Sequence, residues 1–171
     1  MSQFWIVLGV SFVSFVAMEA CAWLFHRYIM HGPLWFIHKT HHRPRRGIFE
    51  LNDLFALVFA LIAAPLFYFG ARGYPPLLGI ALGMIGYGVA YFLVHDVLVH
   101  RRVGHRFTPA RGYLRRVHQA HHMHHAVRER DGAVSFGFLM APRPETLAKK
   151  LRERHGQGAP AELRERGGRR R

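Results

Sequence analysis

Histidine is the residue whose type and spacing could do chemistry in this chain. Fourteen of its 171 residues are histidine, and thirteen of these fall in two stretches, 26–42 and 95–125. Neutral imidazole is the commonest metal ligand among side chains, and one ring nitrogen can bind while a neighbouring group orients the other. The first stretch reads His26-Arg-Tyr-Ile-Met-His31, then after six residues His38-Lys-Thr-His41-His42. The second opens with His95-Asp-Val-Leu-Val-His100 and later runs His118-Gln-Ala-His121-His122-Met-His124-His125. HxxxxH followed by HxxHH thus occurs twice. Any one of these histidines reads equally well as a satisfied or solvent-facing side chain, but two full copies point to a metal site.

Residues three and four apart share a helix face, so His38, His41 and His42 can converge on one centre, as can His121, His124 and His125. His118, His121 and His122 fit the same pattern, and spacing does not choose between the two registers. Five residues of α-helix advance about 7.5 Å and about 500°. His26 and His31 should therefore reach different metals or sit where the helix loosens at its end, and either outcome suits a binuclear site.

The elements that must position these boxes are apolar. Half the residues are hydrophobic, yet the formal net charge is +14, which describes a membrane protein with basic flanking segments. Phe4 to Phe25 provides the ~20 residues that cross a hydrocarbon core, interrupted by Glu19. Leu54 to Gly70 and Pro76 to Val94 are further candidate spans, the last rich in the Gly and Ala that permit close helix approach. Met-Ser-Gln supplies no basic region of the kind that opens a cleaved signal peptide. Arg27, Lys39, Arg43, Arg45 and Arg46 flank the first box; Arg101, Arg102, Arg106, Arg111, Arg115 and Arg116 flank the second; the 71–75 loop has only Arg72. The positive-inside rule then places both boxes in the cytoplasm, on a multi-pass protein of the inner (cytoplasmic) membrane.

The expected fold is an all-α integral membrane protein of about three transmembrane helices, carrying a cytoplasmic, histidine-rich helical cap. Residues 1–142 form the membrane-embedded domain, and 143–171 a basic tail that reads as a surface helix followed by disorder. Cys21, the single cysteine, excludes an intrachain disulfide and cysteine-based metal sites. Eight to ten histidines exceed the four ligands of a structural zinc site and leave room for two metals, oxygen and a substrate. A di-iron oxygenase acting on an apolar molecule that arrives through the bilayer is the natural reading.

The stretches His26-Arg-Tyr-Ile-Met-His31-Gly, His38-Lys-Thr-His41-His42, Phe49-Glu50-Leu-Asn52-Asp53, Tyr91-Phe-Leu-Val-His95-Asp96 and Met123-His124-His125-Ala126-Val127, with Val134-Ser-Phe-Gly-Phe-Leu139, resemble bacterial β-carotene hydroxylases of the fatty acid hydroxylase superfamily. The resemblance covers residues 1 to about 155. It implies two non-haem iron ions, O2 as co-substrate, electrons from ferredoxin or a similar donor, and hydroxylation at C3 of β-ionone rings, from β-carotene through β-cryptoxanthin to zeaxanthin. It also implies the register His121-x-x-His124-His125 and therefore ten ligands: His26, His31, His38, His41, His42, His95, His100, His121, His124 and His125. His105, His118 and His122 are surplus to that pattern.

Four carboxylates are candidates for orienting ligand imidazoles. Asp96 could accept from His100, four residues on. Glu50 and Asp53 could serve the first box, and Glu19, seven residues before His26, could reach a ligand or a partner helix. Helix capping and ion pairs are the competing roles. The basic surface could steer an acidic donor or bind anionic lipid; no nucleic-acid partner is expected. A carotenoid ketolase, a sterol or fatty acyl hydroxylase or a desaturase could use similar boxes. A membrane metal transporter would place ligands within its spans, and a bis-histidine haem carrier needs only two axial histidines.

Overall fold

A computed structural model describes residues 3–43, 47 and 49–155. Among them every regular element is helical. α1 (Gln3–Leu24) passes directly into a π-helical stretch, π1 (Phe25–Met30), followed by the short α2 (Trp35–His38). α3 (Asp53–Gly70) and α4 (Pro75–Tyr91) form a hairpin, and α4 likewise passes into π2 (Phe92–Val99). α5 (Gly112–His125) carries the second HxxHH, and α6 (Pro144–His155) follows. This is a membrane protein with three helices long and apolar enough to cross a bilayer: Gln3–Met30, Asp53–Gly70 and Pro75–Val99, each of mean hydropathy 2.0. Their outer faces carry bare apolar rings and chains, such as Phe12 at 69 % and Leu61 at 65 % exposure, as a surface solvated by lipid tails should.

α4 is the central helix, packed against both α1 and α3, while α1 and α3 do not pack on each other. Small residues make the α1–α4 approach possible. A Cβ on Gly79 would lie 2.6 Å from the Val10 side chain, and one on Gly83 2.5 Å from that of Ser14, so the two helices meet where Gly recurs four residues apart.

Beyond the spans, the chain folds back over the histidines. Residues 127–143 form an irregular strap whose Val127, Ala133, Val134 and Phe136 bury against α5 and α6. Leu147 and Leu151 of α6 are among the most buried side chains, and the Arg154 guanidinium donates to the Ala133 carbonyl. The surface helix expected within 143–171 is α6, and it packs on the strap through Leu147, Leu151 and Arg154. The expected disorder beyond it lies outside the described residues.

The strap is anchored by Glu19, buried on α1. Its carboxylate accepts from the Tyr87 hydroxyl (2.7 Å) and from the backbone N–H groups of Phe138 (3.0 Å), Leu139 (3.0 Å) and Met140 (2.8 Å). An ionisable group at this depth is costly unless so satisfied. Of the two partners expected for Glu19, a ligand histidine or a partner helix, it meets the helix, through the Tyr87 hydroxyl on α4, and adds the strap backbone. Gly137 makes the approach possible, since a Cβ there would meet the Met140 carbonyl oxygen at 2.6 Å and the Glu19 carboxylate at 2.8 Å.

Candidate metal centre

The HxxxxH pairs lie on π-helix, and this resolves their spacing. A π-turn bonds residue i to i+5, and the His31 N–H donates to the His26 carbonyl at 3.0 Å as the His100 N–H does to that of His95 at 2.9 Å. Each pair is thereby stacked one turn apart on one face. The loosened helix is the outcome of the two expected, and His26 and His31 join the same cluster.

The histidines form two such clusters. Nitrogens of His26, His31, His38, His42 and His124 all lie within 4.8 Å of one another, as do those of His41, His100, His121 and His125. His95 adjoins the second, with its Nε2 3.1 Å from that of His41. The clusters touch through the stacked rings of His42 and His125, 4.5 Å apart.

The expectation that each HxxHH converges on one centre is corrected by this division. His38 and His42, four apart, share the first cluster while His41 crosses to the second; His121 and His125 share the second while His124 crosses to the first. On α5 the reason is angular, since residues four apart differ by about 40° around a helix and the one between by about 60–100° from either; in the first box His41 and His42 lie in the turn beyond the end of α2. Each half of the chain thus gives one histidine to the other half's cluster. Of the two registers, the one beginning at His121 places its histidines inside. His118 and His122 instead lie together on the outer side of α5, Nε2 to Nε2 at 3.3 Å, and His105 faces the Val97 carbonyl at 2.7 Å.

Seven of the ten rings have Nδ1 held by an acceptor. The strap carbonyls of Val127, Arg130, Val134 and Phe136 receive His42, His31, His124 and His26 at 2.8–3.0 Å. Asn52 Oδ1 receives His38 at 2.7 Å, Glu50 receives His41 at 3.1 Å and Asp96 receives His95 at 3.1 Å. Asp96 thus serves its chain neighbour and not His100. Asp53 meets no histidine; it accepts from the Glu50 N–H and from Arg102 (2.6 Å), which also pairs with Glu50 and Asp96 at 3.4 Å.

These bonds decide what the clusters can hold. A carbonyl or carboxylate only accepts, so Nδ1 carries the proton and the neutral ring presents an Nε2 lone pair. Nε2 atoms then face one another at 3.1 Å (His26–His38) and 3.2 Å (His31–His124 and His38–His42), lone pair to lone pair. Protonation does not relieve them: burial pushes His38 down to about 2, His42 to about 4 and His100 to about 2, and holds His41, His121, His124 and His125 well below the usual range. Such separations suit neighbouring ligands at the roughly 2.0–2.1 Å of a metal–imidazole bond, and the donor set fits metal cations.

Sequence reasoning overlooked Asn52, Arg102 and the strap carbonyls. Asn52 stood beside Glu50 and Asp53 in a quoted stretch, and Arg102 was counted as an orienting surface charge. Backbone carbonyls leave no signal in residue type.

The comparisons agree with this geometry. The fatty acid hydroxylase family model matches residues 11–142. The chain is 53 % identical over 152 residues to a β-carotene hydroxylase of Pantoea ananas (89 % of this chain, 87 % of the relative). It is 55 % identical over 145 residues to a β-carotene hydroxylase of Pseudescherichia vulneris (85 % and 82 %), and 50 % identical over 153 residues to one of Paracoccus sp. (strain PC1) (89 % and 92 %). No solved structure matches. With a family match over most of its length and relatives about half identical to it, the chain belongs to the fatty acid hydroxylase family.

Proposed function

We propose that this chain hydroxylates β-ring carotenoids at C3, converting β-carotene to β-cryptoxanthin and then zeaxanthin, with two iron ions held by the ten histidines. The observation that carries the reading is the paired set of inward-facing Nε2 lone pairs, joined to the names of the relatives. His26, His31, His38, His42 and His124 would hold one ion; His41, His95, His100, His121 and His125 the other. Bound iron would supply the reduction of O2 and the removal of a ring hydrogen. The balance is one C–H bond and O2 plus two electrons and two protons giving C–OH and water, the electrons coming from a ferredoxin-type donor.

The protein's own part is orientation and exclusion. Glu50, Asp96, Asn52 and the strap carbonyls fix ring tautomers, which raises ligand basicity. The strap closes on both clusters, through its four carbonyls and through Phe138, and the rings its carbonyls hold are buried from water. Arg102 holds Glu50, Asp53 and Asp96 together, so the carboxylates keep their directions toward His41 and His95. The basic residues around both boxes support a cytoplasmic placement at the inner membrane, within reach of a soluble donor.

Expression in a β-carotene-producing host with chromatography of the pigments tests the reading. Zeaxanthin and β-cryptoxanthin are expected from the wild type and neither from His41→Ala. Unchanged β-carotene despite good membrane expression, or 4-keto or acyl products, would sink it.

A further inference from the structure

Between α1, α3 and α4 lies a cavity of about 290 Å³, walled by apolar residues that include Ala22, Phe59 and Gly88. Its polar groups lie mainly toward the histidines. Asn52 holds His38 of the first cluster and Asp96 holds His95 of the second, and both line the cavity. No histidine lines it. Phe138 and Tyr91, which also line the cavity, stand between: Tyr91 stacks on His95 at 4.4 Å, and the Phe138 ring stacks on His26 at 5.0 Å and lies 5.4 Å from His95 and 6.4 Å from His121. Phe138 therefore touches both clusters at once, and Glu19 fixes it there through the Phe138 N–H.

Two further features suit a guest that comes from the bilayer. α1 and α3 do not pack on each other, which leaves a gap between them on the cavity's side; the edge-to-face rings of Phe25 against Phe55 and Phe59, each at 5.5 Å, bridge it. Gly88 is the second. Gly79 and Gly83 on the same helix are filled by α1, whereas a Cβ on Gly88 would meet nothing within 4 Å; its missing side chain serves no helix contact and leaves room in the cavity.

We propose that this cavity binds the cyclic end of the substrate, which enters sideways between α1 and α3, and that Phe138 is the floor whose bulk selects the ring carbon presented to the clusters. This rests on the hydroxylase reading above. The volume suits one methylated six-membered ring and leaves the polyene among lipid tails, and an apolar cleft with a few polar groups at its end is the usual form of such a site.

Gly88→Leu adds bulk where a Cβ meets nothing within 4 Å, and Phe138→Ala deepens the cavity. In a β-carotene-producing host, Gly88→Leu should lower kcat/KM by about tenfold or more while bound metal stays at the wild-type level. Phe138→Ala should add products hydroxylated at a neighbouring ring carbon, a ratio that does not depend on how much protein folds; if it does not accumulate, Phe138→Leu gives the same readout. Purified wild type should also shift the absorption of bound β-carotene, and Gly88→Leu should not. Wild-type turnover and binding in Gly88→Leu, or 3-hydroxylated products alone from both Phe138 variants at wild-type kcat/KM, would overturn the pocket. A wild type that binds β-carotene in this Gly88-dependent way and yields no hydroxylated ring would overturn the function and leave the pocket standing.

Discussion

Each ligand histidine has two ends with different tasks, and the Nδ1 end is where single substitutions should be most telling. Asn52→Leu removes the acceptor for His38 without touching any ligand nitrogen. Metal affinity should drop by about 10–100-fold, measured by competition with a chromophoric chelator, and an unchanged affinity would show that the bond to His38 is idle. Burial has a separate consequence for the metal-free protein. His42 titrates at about 4 when folded against a usual 6.5, so between those values the unfolded chain binds more protons and acidification favours unfolding. The Tm of metal-free protein should be level above about pH 7 and fall as pH drops below about 6.5; a Tm that holds or rises on acidification would contradict burial of neutral rings. At this scale the sequence was most readable, because ligand types and repeat spacing are local. The partners of those ligands were less so: Glu50 could be placed near its box, but Asp96 serves the residue next to it, and Phe136 acts through a carbonyl that any residue possesses.

The π-helical stretches are where an element's geometry becomes chemistry. Inserting one alanine between Ile29 and Met30 would swing His31 away from His26 by about 100° around the helix axis while leaving α1 intact. The expected result is a correctly inserted protein with about half its metal, read by elemental analysis; full occupancy would mean that the i+5 register is dispensable. Glu19→Gln acts on the strap. It replaces one acceptor oxygen by a donor facing backbone N–H groups, and should cost about 1–3 kcal/mol of stability, seen as a lower Tm in detergent, whereas an unchanged Tm would show that the anchor is dispensable. The spans were legible from length and apolarity alone. The π-turns were not, since the hydrophobic pattern carries no mark of an inserted residue, and only the awkwardness of His26 and His31 on an α-helix hinted at them. The strap was read as a short apolar patch, because its meaning comes from a carboxylate about 120 residues away.

Across the whole molecule, charge and topology act together. Arg115 and Arg116 lie on α5 beside the second box, among the basic residues that exceed acidic ones 24 to 10. If these charges steer an acidic donor, turnover with reduced ferredoxin should fall steeply with ionic strength, and neutralising Arg115 and Arg116 should flatten that dependence; turnover indifferent to salt would remove the steering role. The common end for both boxes could be foreseen from three spans and repeated spacing. Their exchange of His41 and His124 could not, because it depends on how two helices face each other after folding. That exchange has a consequence in time. The first cluster closes only when His124 arrives, 93 residues after His31, so a ribosome that has already delivered four of its five ligands has still not made the fifth. A metal ion met during synthesis would find one histidine of the five still missing, and the first cluster is complete only once the last span and α5 are in place.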